Sequence, residues 1–288
     1  MSALLIKGIL YDNTQDIHQM QKIGKTAYRL SQKIGNTKGS IRSLLFKSAI
    51  LHAGRFSEAL GYINNAESLI NEFEREKHIE LPRERSAVLI AKSWFKAFTG
   101  DFDNGIQSAL EGLSIRENLE DKKYSNEFGY GCIDPYMPLA LCYILKGDPN
   151  SALGYAFKSL EIQKKRDHAD LMAGSLTMFG MSSVFKGDIN SSIKYCNQAL
   201  SIAGLKNTWK YMCYITLGKA HIEKGELDTA LKYYDKCFDF SKVMGYTHAA
   251  LALEWLRIGS IHVMKGDLNK ALEIYKRSLE ISEIVFMA

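Results

Sequence analysis

Proline is scarce in this chain, with four in 288 residues. A sequence so poor in helix breakers, and rich in Leu, Ala, Lys and Glu, favours helix along its whole length. Cysteine is equally uninformative as chemistry. The five residues at 132, 142, 196, 213 and 237 are scattered and odd in number, with no close pair of the kind that holds zinc or runs redox exchange. They fit a reducing compartment, and a cytoplasmic location is expected. No apolar run approaches the roughly 18 residues a membrane span requires, and the opening MSALLIKGIL, broken by Lys7 and Gly8, makes a poor signal peptide. A strong excess of charge is missing too: 37 basic residues stand against 32 acidic ones, a net of +5. Nucleic-acid binders usually carry a basic stripe. Lys164–Lys165–Arg166 is the nearest candidate, and it reads as a solvated helix end complementing the helix dipole.

What the sequence does contain is a repeat. Six segments align without gaps: GRFSEAL from Gly54, GDFDNGI from Gly100, GDPNSAL from Gly147, GDINSSI from Gly187, GELDTAL from Gly225 and GDLNKAL from Gly266. Their starts lie 46, 47, 40, 38 and 41 residues apart. Each reads as a glycine that closes one helix, an acidic or polar residue suited to the start of the next, and a small-plus-aliphatic pair such as Ala230–Leu231. Seven residues before each glycine comes a position that is small in most copies (Ala140, Gly180, Gly218, Gly259), with Lys47 and Ser93 as departures. A second small position recurs in the following helix, at Ala66, Gly112, Ser159, Ala199, Cys237 and Ser278. Helical spacing on both sides of a turn, with bulky residues facing small ones, predicts a helix–turn–helix unit stacked on copies of itself.

This pattern resembles the tetratricopeptide repeat (TPR), in the long-repeat variety of bacterial and archaeal adaptor and sensor proteins. The resemblance implies an all-α, right-handed superhelical solenoid of about seven repeats. Their expected bounds are 1–36, 37–82, 83–132, 133–167, 168–206, 207–246 and 247–288, in one array. The opening copy is degenerate, with Gly8 and Tyr11 on its first helix and Met20, Gly24 and Ala27 on its second. Two insertions fall between repeats: the charged Phe73–Arg85 segment and the turn-rich stretch from Asn118 to Pro135. Both are expected to be extended helix ends plus longer loops, and Tyr124–Gly131 is a candidate functional loop.

In TPR arrays the first helices line a concave face. Carried onto this sequence, that implies a groove lined by Trp94, Phe98, Leu141, Ile144, Met181, Phe185 and Lys219, an aromatic, aliphatic and methionine surface suited to a protein or peptide segment. The family's Lys/Asn/Arg carboxylate clamp has no counterpart beyond Lys219. Catalytic residues, cofactors and a metal are not expected. Carboxylates such as Asp101, Asp148, Asp188 and Asp267 recur because the turn recurs. His221 and His262 hold equivalent places in adjacent repeats and read as packed rings with one hydrogen bond each, in preference to half a metal site. The function expected is that of an interaction scaffold or adaptor, with a ligand- or peptide-sensing regulatory domain of a larger signalling protein as the alternative. Nucleic acid and membrane are not expected partners. The apolar end LEISEIVFMA is expected to support a weak homodimer through the C-terminal helix.

Overall fold

The computed structural model describes residues 17–48, 56–119, 134–165, 169–202, 207–243 and 248–287. Among them every regular element is an α-helix. In chain order these are α1 (Ile17–Lys33), α2 (Thr37–Ser48), α3 (Phe56–Lys77), α4 (Pro82–Thr99), α5 (Phe102–Glu117), α6 (Tyr136–Lys146), α7 (Pro149–Lys165), α8 (Ala169–Lys186), α9 (Ile189–Leu200), α10 (Asn207–Glu223), α11 (Leu227–Val243), α12 (His248–Met264) and α13 (Leu268–Met287). Each helix packs on the next, which makes α2/α3 through α12/α13 six successive hairpins, with α1 against α2. The expected Gly8, Tyr11 and Gly54 lie outside the described residues.

The hairpins close by one mechanism. Gly100, Gly147, Gly187, Gly225 and Gly266 all adopt left-handed backbone, φ between 76° and 87°, a region that side chains enter only with strain. The amide of Gly147 donates to the Ile144 carbonyl at 3.1 Å, and that of Asp148 reaches back to Tyr143 at 2.8 Å. Gly187, Gly225 and Gly266 repeat this pair of bonds, so the last carbonyls of each first helix are satisfied where it ends. The acidic residue after the glycine then opens the second helix. Asp148 and Asp188 accept from the amides of Ser151 and Ser191, each at 3.1 Å.

Within a hairpin the two helices touch where one lacks a side chain. A β-carbon added at Gly218 would lie 2.7 Å from the Tyr234 ring, and one at Gly259 would lie 2.5 Å from Tyr275. At Gly180 it would meet the Cys196 sulfur at 2.4 Å. On the second helices Ala59, Ala66, Ala152, Ala199, Ala230 and Cys237 are fully buried. Lys47, the departure noted at this position, lays its stem over Gly24 and its ammonium 3.8 Å above the Tyr62 ring.

The first insertion is mostly helix. α3 runs on to Lys77, His78 takes a left-handed φ of 54°, and α4 begins at Pro82. Glu74 fastens this link by accepting from the Leu81 amide at 2.8 Å and pairing with Arg85. Of the second insertion only its ends are described, and Tyr124–Gly131 lies outside them. Its far end is anchored by Asp134, 2% exposed. One carboxylate oxygen accepts from the Tyr136 amide at 2.8 Å, and the other from Ser159 at 2.5 Å and Gln163 at 2.9 Å.

Two predictions follow from this packing. Gly218→Leu forces atoms into the Tyr234 ring, an overpacking that costs on the order of 1–3 kcal/mol. Ala230→Glu buries an unpaired charge and should cost more. Circular-dichroism melts of both variants should fall below wild type, and coincidence with wild type would refute the packing described. The second prediction concerns Asp134. Burial pushes its pKa upward against the opposing hydrogen bonds from Ser159, Tyr136 and Gln163. Between the ordinary carboxylate pKa and this raised value the folded chain holds the proton more tightly than the unfolded chain. The contribution of Asp134 to stability therefore falls as pH rises through that window. Asp134→Asn removes the titration, so in urea melts it should gain on wild type as pH rises from about 4 to 7. Asp134→Ala, which strands three donors, should lose on the order of 2–3 kcal/mol at any pH.

Candidate interaction groove

First helices pack on the first helices of neighbouring repeats, α2 on α4, α4 on α6, α6 on α8 and α8 on α10. The second helices make their principal contacts with first helices. The row of first helices is thus the tighter, inner row. Along each of them one ridge, spaced every four residues, faces inward: Ile90, Trp94 and Phe98 on α4; Met137, Leu141 and Leu145 on α6; Thr177, Met181 and Phe185 on α8; Ile215, Lys219 and Glu223 on α10; Leu256, Ser260 and Met264 on α12.

Exposure along these ridges is graded. Ile90, Met137 and Thr177 are buried, Ile215 is half-buried, and Leu256 is 45% exposed. At the next position Trp94 and Leu141 are buried, whereas Met181, Lys219 and Ser260 are half-buried. At the third, Phe98 is half-buried and Leu145, Phe185 and Met264 reach 41%, 44% and 57%. The inner surface is closed by its own packing in the early repeats and open in the later ones.

That grading divides the seven residues expected to line the groove. Phe98, Met181, Phe185 and Lys219 reach the surface. Trp94, Leu141 and Ile144 do not, because they belong to the largest hydrophobic core. Trp94 stacks on Phe98 with ring centroids 6.1 Å apart, and Phe98 meets Phe56 at 6.4 Å. These three support the wall from behind. Conversely Leu256, with 45% exposure, and Ile215 escaped sequence reasoning. For Ile215 the signal was available, since it stands one helical turn before the inward position identified at Lys219, and Leu256 holds the same register on α12.

Lys219 is the cation on the exposed ridges. Its ammonium sits 3.4 Å from the centroid of the Phe185 ring on the preceding first helix. Burial lowers its pKa, and the nearby Glu223 carboxylate opposes that shift. A cleft of about 270 Å³ between α3, α4 and α5 is lined by Glu67, Arg85, Lys92, Lys96 and Glu111. Its Lys92 pairs with Glu67 at 2.6 Å and its Arg85 with Glu74.

The two histidines do the same work in adjacent hairpins. His221 Nδ1 donates to Glu226 at 2.6 Å and His262 Nδ1 lies 3.4 Å from Asp267, in each case the acidic residue after the turn glycine. His221 also stacks on Tyr233 at 5.4 Å. Among the described residues no three His, Cys, Asp or Glu side chains converge as a metal site would need, and no helix is long and apolar enough to cross a membrane.

No curated protein matches the chain by sequence. Solved structures match by fold. A Rap protein complexed with Competence and Sporulation Factor aligns over 98% of this chain and 76% of its own, with a TM-score of 0.67 at 12% identity. NprR in complex with its cognate peptide NprX aligns over 97% and 77%, TM-score 0.61, 14% identity. The apo form of the quorum sensor NprR from B. thuringiensis gives 98% and 76%, TM-score 0.58, also at 14%. Tetratricopeptide repeat models match residues 173–204, which fall on α8 and α9, and residues 211–284, which span α10 to α13. The second half of the array thus matches tetratricopeptide repeats by sequence, and the described residues share the fold of these solved structures.

Proposed function

We propose that the chain is an interaction scaffold, working as one array, that holds a peptide or protein segment against the inner ridges of α6, α8, α10 and α12. The observation that carries this reading is the exposure of large apolar residues there: Leu145, Phe185, Leu256, Val263 and Met264 are each 41–57% exposed. Water contact with that much apolar surface is unfavourable, and rows of this kind mark binding surfaces. Repeat arrays present an extended inner surface by construction, and methionine adapts to varied partners. The sensing version of the same reading is supported by the likeness to NprR, a quorum sensor whose structure holds a peptide.

A second surface supports self-association. Leu268, Leu272 and Leu279 on α13 are 64%, 55% and 60% exposed. At the same steps after the turn glycine, Ile189, Ile193 and Leu200 on α9 are at most half-exposed against the following hairpin. The side chains of Ile281, Ile284, Val285 and Phe286, also expected to take part, lie outside the described residues.

For the groove, affinity capture from cell extract with the full chain supplies a binding partner. Phe185→Ser and Met264→Ser should then each weaken the purified interaction about tenfold or more, since a few central anchors carry most binding energy. Lys232→Ser and Lys276→Ser on the second helices should leave it unchanged. Variants with wild-type melts and wild-type affinity would place the partner elsewhere. For α13, Leu272→Lys should abolish any concentration-dependent dimer seen by sedimentation while preserving helicity.

A further inference from the structure

The groove has a pattern of its own, and what it would recognise can be read from that pattern, given the reading above. Leu145, Phe185, Glu223 and Met264 stand at one height on four successive first helices, one or two side chains per helix. Such a line is the width of a single extended chain. Its chemistry changes sign midway. Leu145 and Phe185 are apolar, α10 offers Lys219 and Glu223, and α12 returns to apolar with Val263 and Met264.

Lys219 is the unusual member. It is half-buried, it lies against the Phe185 ring, and among the described residues no carboxylate is within ion-pair distance of it. An ammonium partly stripped of water beside an apolar wall gains most from an anion brought to it. Glu223, the carboxylate facing the same stretch, is exposed, so water screens its repulsion of an incoming anion. Packed first helices such as α8 and α10 stand about 10 Å apart, and α12 reaches α10 through the Glu254–Tyr211 hydrogen bond, so an extended chain crosses each step in about three residues. We propose that the groove takes a short extended peptide with apolar residues about six positions apart, on α8 and α12, and an acidic side chain midway between them on Lys219.

A library of peptides about nine residues long, too short for stable helix, provides the test. The peptides are displayed through their C-terminus, so no terminal carboxylate is free, and selected on the full chain. The enriched sequences should carry Asp or Glu midway between two apolar positions. Lys219→Glu should turn that preference to Lys or Arg, and Lys219→Gln should erase it, with both variants melting as wild type. Replacing the acidic residue by Lys in a synthetic copy of a selected peptide should weaken binding about tenfold or more. Enriched peptides that depend on Phe185 and Met264 but show no acidic preference would overturn the inference and leave the groove reading standing. So would a preference indifferent to Lys219→Glu, or binding of synthetic peptides only through a free C-terminal carboxylate. Failure to enrich any peptide, or enrichment unaffected by Phe185→Ser and Met264→Ser, would overturn both.

Discussion

One contact recurs in the last three hairpins, and the surface they present depends on it: a side chain of the second helix seated where the first helix has none. Tyr234 lies over Gly218, Tyr275 over Gly259, and the Cys196 sulfur over Gly180. Close approach of the two backbones lets a ring cover the first helix while small residues such as Ala230 face it from the other side. It also fixes the direction in which the first helix turns its remaining surface. With one side given to its partner and one to the next hairpin, what is left is the inner ridge.

How much of that ridge remains free changes along the array. In α4 and α6 the inward positions hold Ile90, Trp94, Met137 and Leu141, which are core although they stand in register with groove positions further along. In α8 Thr177 is still buried, whereas Met181 and, on α10, Lys219 are half-buried one turn on, and the surface opens. A stripe of apolar residues at one register is thus core at one end of the array and surface at the other. The difference lies in packing against neighbours, which spacing alone does not report.

This is also the boundary of what could be read from the sequence. The turn glycines at 100, 147, 187, 225 and 266 were legible because only one residue type occupies left-handed backbone at no cost, and all five adopt it. Small positions were legible because an interface between two backbones tolerates few side chains. The roles of the histidines followed from their repetition at turn spacing. Exposure did not follow, since Ile90 and Leu256 look alike in composition and register but differ in accessibility, 0% against 45%. Asp134 was invisible for another reason. It sits beside a turn-rich stretch where an acidic residue would ordinarily be solvated, and only the approach of Ser159 and Gln163 from α7 buries it.

The last hairpin shows how a polar contact can serve the groove from within the core. Glu254 on α12 is fully buried, at the place where α4, α8 and α10 carry Val88, Ser175 and Cys213. One of its carboxylate oxygens accepts from Tyr211 of α10 at 2.5 Å and from Arg257 at 2.7 Å. Among the described residues its other oxygen has no hydrogen-bond partner. Burial raises the pKa of Glu254 against the attraction of Arg257. An ion pair in such a setting adds little net stability, because desolvation offsets most of the Coulombic gain. What it adds is direction. Apolar packing tolerates a helix sliding or rotating by a fraction of a turn, whereas the bond between Glu254 and Tyr211 holds for one orientation of α12 against α10. Leu256 lies two residues from Glu254 and Met264 ten residues on. The orientation selected by the buried carboxylate therefore sets where the most exposed apolar part of the groove points.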